Sequence, residues 1–150
     1  MAAKNTAFAR DILALIYNGT AITDLAQDDG SGPLTKIYVA FHTANPIATP
    51  GTATQATSEC AYTGYSRVET NRATGAGGWT LHETAASVSP GSVIEAPECT
   101  GAPCVITHWS TGVASSGATK ILHSGTVTPN ISVVVGTIPR LKTTTTITES

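Results

Sequence analysis

The chain has 150 residues, the size of one ordinary domain and enough to bury a core without metals or crosslinks. Only 12 % of residues are charged and the formal net charge is −2. This leaves no basic stripe for nucleic acid, and a surface so poor in charge is expected to be covered by partners. With 41 % apolar residues, 14 Gly, 8 Pro and abundant Thr, the composition predicts an all-β fold with many turns.

Residues from about 5 to 18 form the one predicted helix. Phe8, Ile12, Leu15 and Ile16 share a face by spacing, Asn5 or Thr6 caps the start, and Gly19 ends it. Asn18-Gly19-Thr20 matches a glycosylation sequon but reads better as a helix end. Lys4, Arg10 and Asp11 interrupt this stretch well short of a membrane span. The helix is expected to cover a sheet edge or to dock on a neighbour.

Residues 24–33 read as a loop. Asp28, Asp29 and Ser31 lack the ligand spacing of a calcium loop. Thr35 to Thr43 is the strongest strand, apolar on both faces through Ile37, Val39, Phe41 and Tyr38, Ala40, His42, and is expected to be central. Ile47 to Ser58 is a long loop and a candidate contact surface. Tyr62 to Thr70 reads as a strand with Gly64 as a bulge. Trp79–His82, Ala86–Val88 and Ser92–Ala96 are short strands, the last two split by Pro90-Gly91.

Pro103 to Val127 is the expected centre. Two alternating runs flank Gly112–Thr119 and predict a hairpin, with Trp109 in the core and His108 and His123 able to face each other. Thr128–Asn130 reads as a turn and Ile131–Thr137 as a strand. A Thr-rich strand or arm follows at about 141–150, able to pair with an edge at home or on a neighbour. About eight strands at this spacing predict one β-sandwich domain over 1–150, jelly-roll-like, with one N-terminal helix.

Chemistry is sparse. There is no phosphate loop, nucleophile elbow or H-E-x-x-H motif. His42, His82, His108 and His123 lie on four different predicted strands. Glu59, Glu69, Glu83, Glu95 and Glu98 are scattered in or beside loops. No catalytic, cofactor-binding or metal-binding residue is assigned, and no enzymatic activity is expected. Trp79, Trp109 and Tyr65 are the aromatic rings a glycan site would use, although core packing explains them more simply. Cys60, Cys99 and Cys104 make an odd count without a secretory signal, which predicts free thiols made in a cytosol. A local Cys99–Cys104 bridge is also geometrically possible.

Several segments in order, KIYVAFHTANP (36–46), ECAYTGYSRV (59–68), GWT (78–80) and VITHWSTGVASSGATKILHSG (105–125), resemble a family of small tailed-bacteriophage virion proteins, often labelled tail-fibre-like. The resemblance spans about residues 10 to 138. It implies a non-enzymatic β-sandwich subunit of the virion, assembled in the host bacterial cytoplasm. With one short domain and no shaft repeat, the reading is a head decoration (cement) protein, partnered by the major capsid protein and by copies of itself. The alternative is a tail, fibre or baseplate component contacting tail proteins or a host glycan. No cofactor, nucleic acid or membrane enters either reading. The helix, the 47–58 loop and the 143–150 tail are the expected contacts.

Overall fold

The computed structural model describes residues 6–21, 34–49 and 51–149. The expected 24–33 loop, Asn5 as a cap and the last residue of the tail lie outside them. Helix α1 (Thr6–Leu13) runs into one π-helical turn (Ala14–Asn18). Among the described residues nine strands follow: β1 (Lys36–His42), β2 (Val68–Asn71), β3 (Trp79–Leu81), β4 (Ser87–Pro90), β5 (Ile94–Glu95), β6 (Cys104–Gly112), β7 (Ile121–Val133), β8 (Arg140–Leu141) and β9 (Ile147–Thr148). The sheets have orders β2-β1-β6-β7, β3-β4-β9 and β5-β8. The chain is thus mostly β with one N-terminal helix, as expected; a jelly roll does not follow from these strand orders. The chain gathers into two compact units, Met1–Lys36 with Thr70–Ile94 and Lys142–Ser150, and Ile37–Glu69 with Glu95–Leu141.

In the first unit the helix buries a different face from the expected one. Ala9, Leu13, Ala14 and Tyr17 are buried, while Ile12, Leu15 and Ile16 are only half-buried. Ala9, Leu13 and Tyr17 follow one another at i, i+4 and i+8, and the face is chosen by the aromatic contact of Tyr17 with Trp79, ring centroids 4.7 Å apart. Gly19, at φ +70°, closes the helix as predicted. The guanidinium of Arg72 then binds the open end, donating to Leu15 O (3.1 Å) and Ile16 O (2.8 Å). A cation there also meets the negative end of the helix dipole. Asn18 donates to Thr74 Oγ1 (2.7 Å), so the sequon residue serves packing.

Strands β3, β4 and β9 are antiparallel, with Thr80 opposite Ser89 and Val88 opposite Ile147. The Thr-rich tail therefore pairs at home. It does so in two pieces, Leu141 in β8 beside β5 and Ile147–Thr148 beside β4, with Glu149 N–H reaching Ala86 O (2.9 Å), because a turn closed by Thr145 N–H to Lys142 O (3.0 Å) interrupts the expected single strand. The helix is likewise used within its own unit, where Arg10 donates to His82 O (3.0 Å).

In the second unit β1 is central, as its two apolar faces require. It pairs antiparallel with β6, placing Phe41 beside Trp109, Ala40 beside Ser110 and His42 beside His108. The hairpin forms where alternation predicts it. His108 pairs with Thr126 and His123 with Thr111, so the two histidines sit on opposite faces rather than across from each other. Trp109 pairs with Gly125, and a Cβ there would fall 2.9 Å from the indole, so glycine is what lets the ring lie flat across β7.

The Thr128–Asn130 turn signal has another outcome. Strand β7 continues through it, but between Thr126 and Ile131 the ladder slips, leaving Val127 to Asn130 opposite Thr107. Pro129 has no N–H to give to the ladder, which is why the irregularity falls there. The strand then stops at Val133, and Val134–Thr137 forms a turn (Thr137 N–H to Val134 O, 2.9 Å). The expected strand at Tyr62–Thr70 shrinks to its end, β2. Tyr62 to Arg67 instead turns, with Gly64 at φ +100° packed on Glu98 O. The thiol expectation is corrected too. Cys60 and Cys104 are joined as a disulfide across 44 residues, and only Cys99 is free, buried.

Candidate interaction site

The most strongly built polar feature of the second unit centres on Arg67. Its side chain is 2 % exposed, and a buried guanidinium needs a partner for every N–H. Nε and Nη2 form a bidentate pair with Glu59, both at 2.8 Å. Nη1 donates to Thr119 Oγ1 (3.0 Å), Ala114 O (3.1 Å) and Gln55 Oε1 (3.3 Å); Nη2 also donates to Gly117 O (2.7 Å). All five hydrogens are engaged. The result is a clamp that ties the loop between β6 and β7 to the 54–59 segment. The Glu59 hydrogen bond, followed by its charge, holds the guanidinium above its ordinary pKa against the opposing effect of burial.

The clamp extends into β1. Gln55 is fully buried in what reads as a loop; its amide donates to Tyr38 O (3.0 Å) and its backbone N–H to Thr119 O (2.8 Å). Glycine at 112 leaves room for this amide, since a Cβ there would sit 2.0 Å from Gln55 Oε1 and displace it. His42 lies between Thr57 O (2.9 Å from Nδ1) and Ser110 Oγ (2.8 Å from Nε2). A carbonyl only accepts, so Nδ1 carries the hydrogen and Nε2 accepts from the serine. Burial is the main cause that lowers the His42 pKa. Tyr65 donates to Glu59 (2.9 Å) and accepts from Phe41 N–H (3.1 Å); burial, with Glu59 adding, raises its pKa. Tyr62 donates to Pro97 O (2.7 Å), and burial pushes its phenol up to about 12.

A pocket of about 460 Å³ opens here, lined by Glu59, Tyr62, Tyr65, Ser66, Arg67 and the 115–117 turn, among others. Its wall offers hydroxyls and ring edges. It offers no free cation, because the Arg67 hydrogens are all taken inside the protein. Nor does the arrangement pair two carboxylates; its one histidine–hydroxyl pair, His42 with Ser110, is fully buried where no substrate reaches it. Glu95 faces Arg140 (2.6 Å) on the surface, Glu69 lies 3.4 Å from the Tyr38 hydroxyl, and Glu83 and Glu98 are exposed. Of the histidines, only His42 and His108 come together, as neighbours across β1 and β6. Among the described residues no three His, Cys, Asp or Glu cluster as metal ligands. Of the three candidate glycan-stacking rings, Trp79 and Trp109 are buried at 0 % and 4 %, and Tyr65 is half-buried in the clamp.

Sequence reasoning missed this clamp. Arg67 lies in the segment that reads as the 62–70 strand, and Gln55 and Glu59 in or beside the preceding loop, so no local pattern signals a buried cation.

The geometry is that of a scaffold, and comparison with known families agrees. Residues 4–148 match the family described as podophage GP4 fiber I protein gp80. The chain belongs to this family. It is a non-enzymatic structural protein of the phage virion, and the family is one of tail fibres. This overturns the head-decoration reading and favours the tail alternative. The absence of a shaft repeat does not exclude a fibre. No curated protein matches the chain.

Proposed function

We propose that this fibre-family chain builds part of the tail by protein–protein contact alone, with copies of itself and adjoining tail proteins as partners. The observation that carries this reading is where aliphatic surface is left uncovered. Val105, Val134, Val135 and Ile138 are 48, 54, 69 and 40 % exposed, while both Trp rings are inside. Val105 pairs with Ser132 near the end of β7, and the 134–138 turn follows directly. The four therefore belong to one end of the hairpin. Covering each such side chain stabilises an assembly by up to about 1.5–3 kcal/mol before association costs.

The test is location and copy number in purified particles, by cryo-EM with quantitative mass spectrometry against the major capsid protein. A small number of copies confined to the tail is the expected result. Hundreds spread over the shell would overturn the reading.

A further inference from the structure

The Cys60–Cys104 disulfide belongs to a chain made where such bonds are rare. The chain is a virion protein assembled in the host bacterial cytoplasm, where thiol reductants keep cysteines reduced. The fold does not need the bond to bring the two residues together. Cys60 N–H donates to Phe41 O (2.8 Å), and Glu59 beside it is held by the bidentate Arg67 pair. Beyond it, Thr63 N–H donates to Gly101 O (2.8 Å) and Thr100 N–H returns to Thr63 O (2.9 Å). Cys104, just past Gly101, opens β6 and pairs with Val133 of β7. Backbone hydrogen bonds and the clamp therefore place both cysteines without any help from sulfur. We propose that Cys60–Cys104 is a maturation lock: the chain folds and assembles as the dithiol, and the bond closes after the particle leaves the cell.

The two cysteines differ in access. Cys104 is half-buried and follows exposed Ala102 and Pro103, whereas Cys60 is 1 % exposed. Outside the cell the oxidant is a small-molecule disulfide. The Cys104 thiolate attacks one of its sulfurs and expels the first small thiol. The Cys60 thiolate then attacks Cys104 Sγ in the mixed disulfide and expels the second. Two protein S–H bonds and the small-molecule S–S bond are lost. The Cys60–Cys104 bond forms, and the two small thiols carry off both protons and both electrons. Cys99 does not compete. It is fully buried, its thiol donates to Gly101 O (3.3 Å), its N–H to Thr137 O (2.9 Å), and its carbonyl accepts from Gly136 N–H (2.9 Å). Closing the bond ties the segment that carries Glu59, Tyr65 and Arg67 to the start of β6. The proposal rests on virion membership and not on the tail contacts proposed above.

Thiol trapping tests it on the particle. Infected cells and released virions are each denatured directly into N-ethylmaleimide, and the chain is read by peptide mass spectrometry, with Cys99 alkylated in both as the reference. The expected result is alkylated Cys60 and Cys104 inside cells, and about tenfold or more of the linked pair in released virions. A linked pair already inside cells, or free thiols persisting in released virions, overturns the proposal. The second measurement uses the whole purified chain. With reductant it should keep its circular dichroism spectrum. With oxidised glutathione it should gain one linkage, Cys60–Cys104, and urea unfolding should then show an equilibrium shifted about a hundredfold toward the folded state. A reduced chain that is unfolded, or an oxidised one that links Cys99, overturns it as well. Any of these failures leaves the tail location standing, since that rests on the copy-number measurement.

Discussion

Replacing Arg67 by alanine isolates the contribution of the clamp. The guanidinium and the Glu59 carboxylate have side chains 2 % and 19 % exposed, so the pair is shielded from solvent on the arginine side. Removing one member of a buried pair costs about 3–5 kcal/mol, because the other charge is left without its partner. Ala114 O, Gly117 O and Thr119 Oγ1 lose their donor as well. Water entering from the adjoining pocket restores part of this, so about 4 kcal/mol in total is expected. In a chain of this length each kcal/mol lowers Tm by about 2–4 °C, giving a fall of about 8–16 °C. Thermal and urea unfolding followed by circular dichroism read it directly. The paired variant Arg67→Met/Glu59→Leu, which removes both charges at similar volume, should recover the part of the loss owed to the stranded carboxylate, while the loop carbonyls and the Tyr65 hydroxyl stay without their partners. A cost below about 1 kcal/mol for Arg67→Ala would place the pair among ordinary surface ion pairs and refute the reasoning.

Three further outcomes follow from the same unit. Gly112→Ala drives a methyl into the Gln55 amide, which its bond to Tyr38 O holds in place, so it should cost about 1–3 kcal/mol in urea unfolding; a neutral result would mean the amide can swing aside. His42 is held neutral by burial, opposed by the Thr57 carbonyl and Glu59 and reinforced by Arg67 and His108. Its folded pKa lies below the ordinary 6.5, so the unfolded chain binds the proton more readily. Stability is therefore unaffected by this group well above pH 6.5 and falls as pH drops below it; His42→Gln should flatten that slope in Tm against pH, and an unchanged slope would assign it to other groups. Reducing Cys60–Cys104 frees a loop of 44 residues, for a loss of about 4 kcal/mol, measured by unfolding with and without reductant; Cys99→Ser should leave the reductant effect intact.

What could be read from sequence was what repeats at short range. Period-two alternation located β1 and both hairpin strands, and the double apolar face of Lys36–His42 marked it as central. Local chemistry located Gly19 at the helix end and Pro129 at an interruption, although the second became a slipped ladder rather than a turn. What escaped was set by partners distant in sequence. The buried helix face depends on Trp79, some sixty residues past Tyr17. Cys104 bonds Cys60 instead of nearby Cys99, and Arg67 is buried only because Glu59, Gln55 and the hairpin loop converge on it. No spacing rule encodes such convergence. The candidate site was therefore almost wholly illegible, while the strands that frame it were not.

The placement of the two tryptophans makes the chain its own reporter. Trp79 stands at the heart of the first unit and Trp109 at the heart of the second, and there is no third. Exchanging either for phenylalanine leaves a single emitter whose colour and intensity track one unit alone. Red-shifted fluorescence from Trp109 would signal that its indole had lifted off Gly125 and the hairpin had opened. The same shift from Trp79 would signal the loss of the Tyr17 ring beside it. Two emission curves from one polypeptide, recorded under the same denaturant, thus resolve the melting of each unit without any added label.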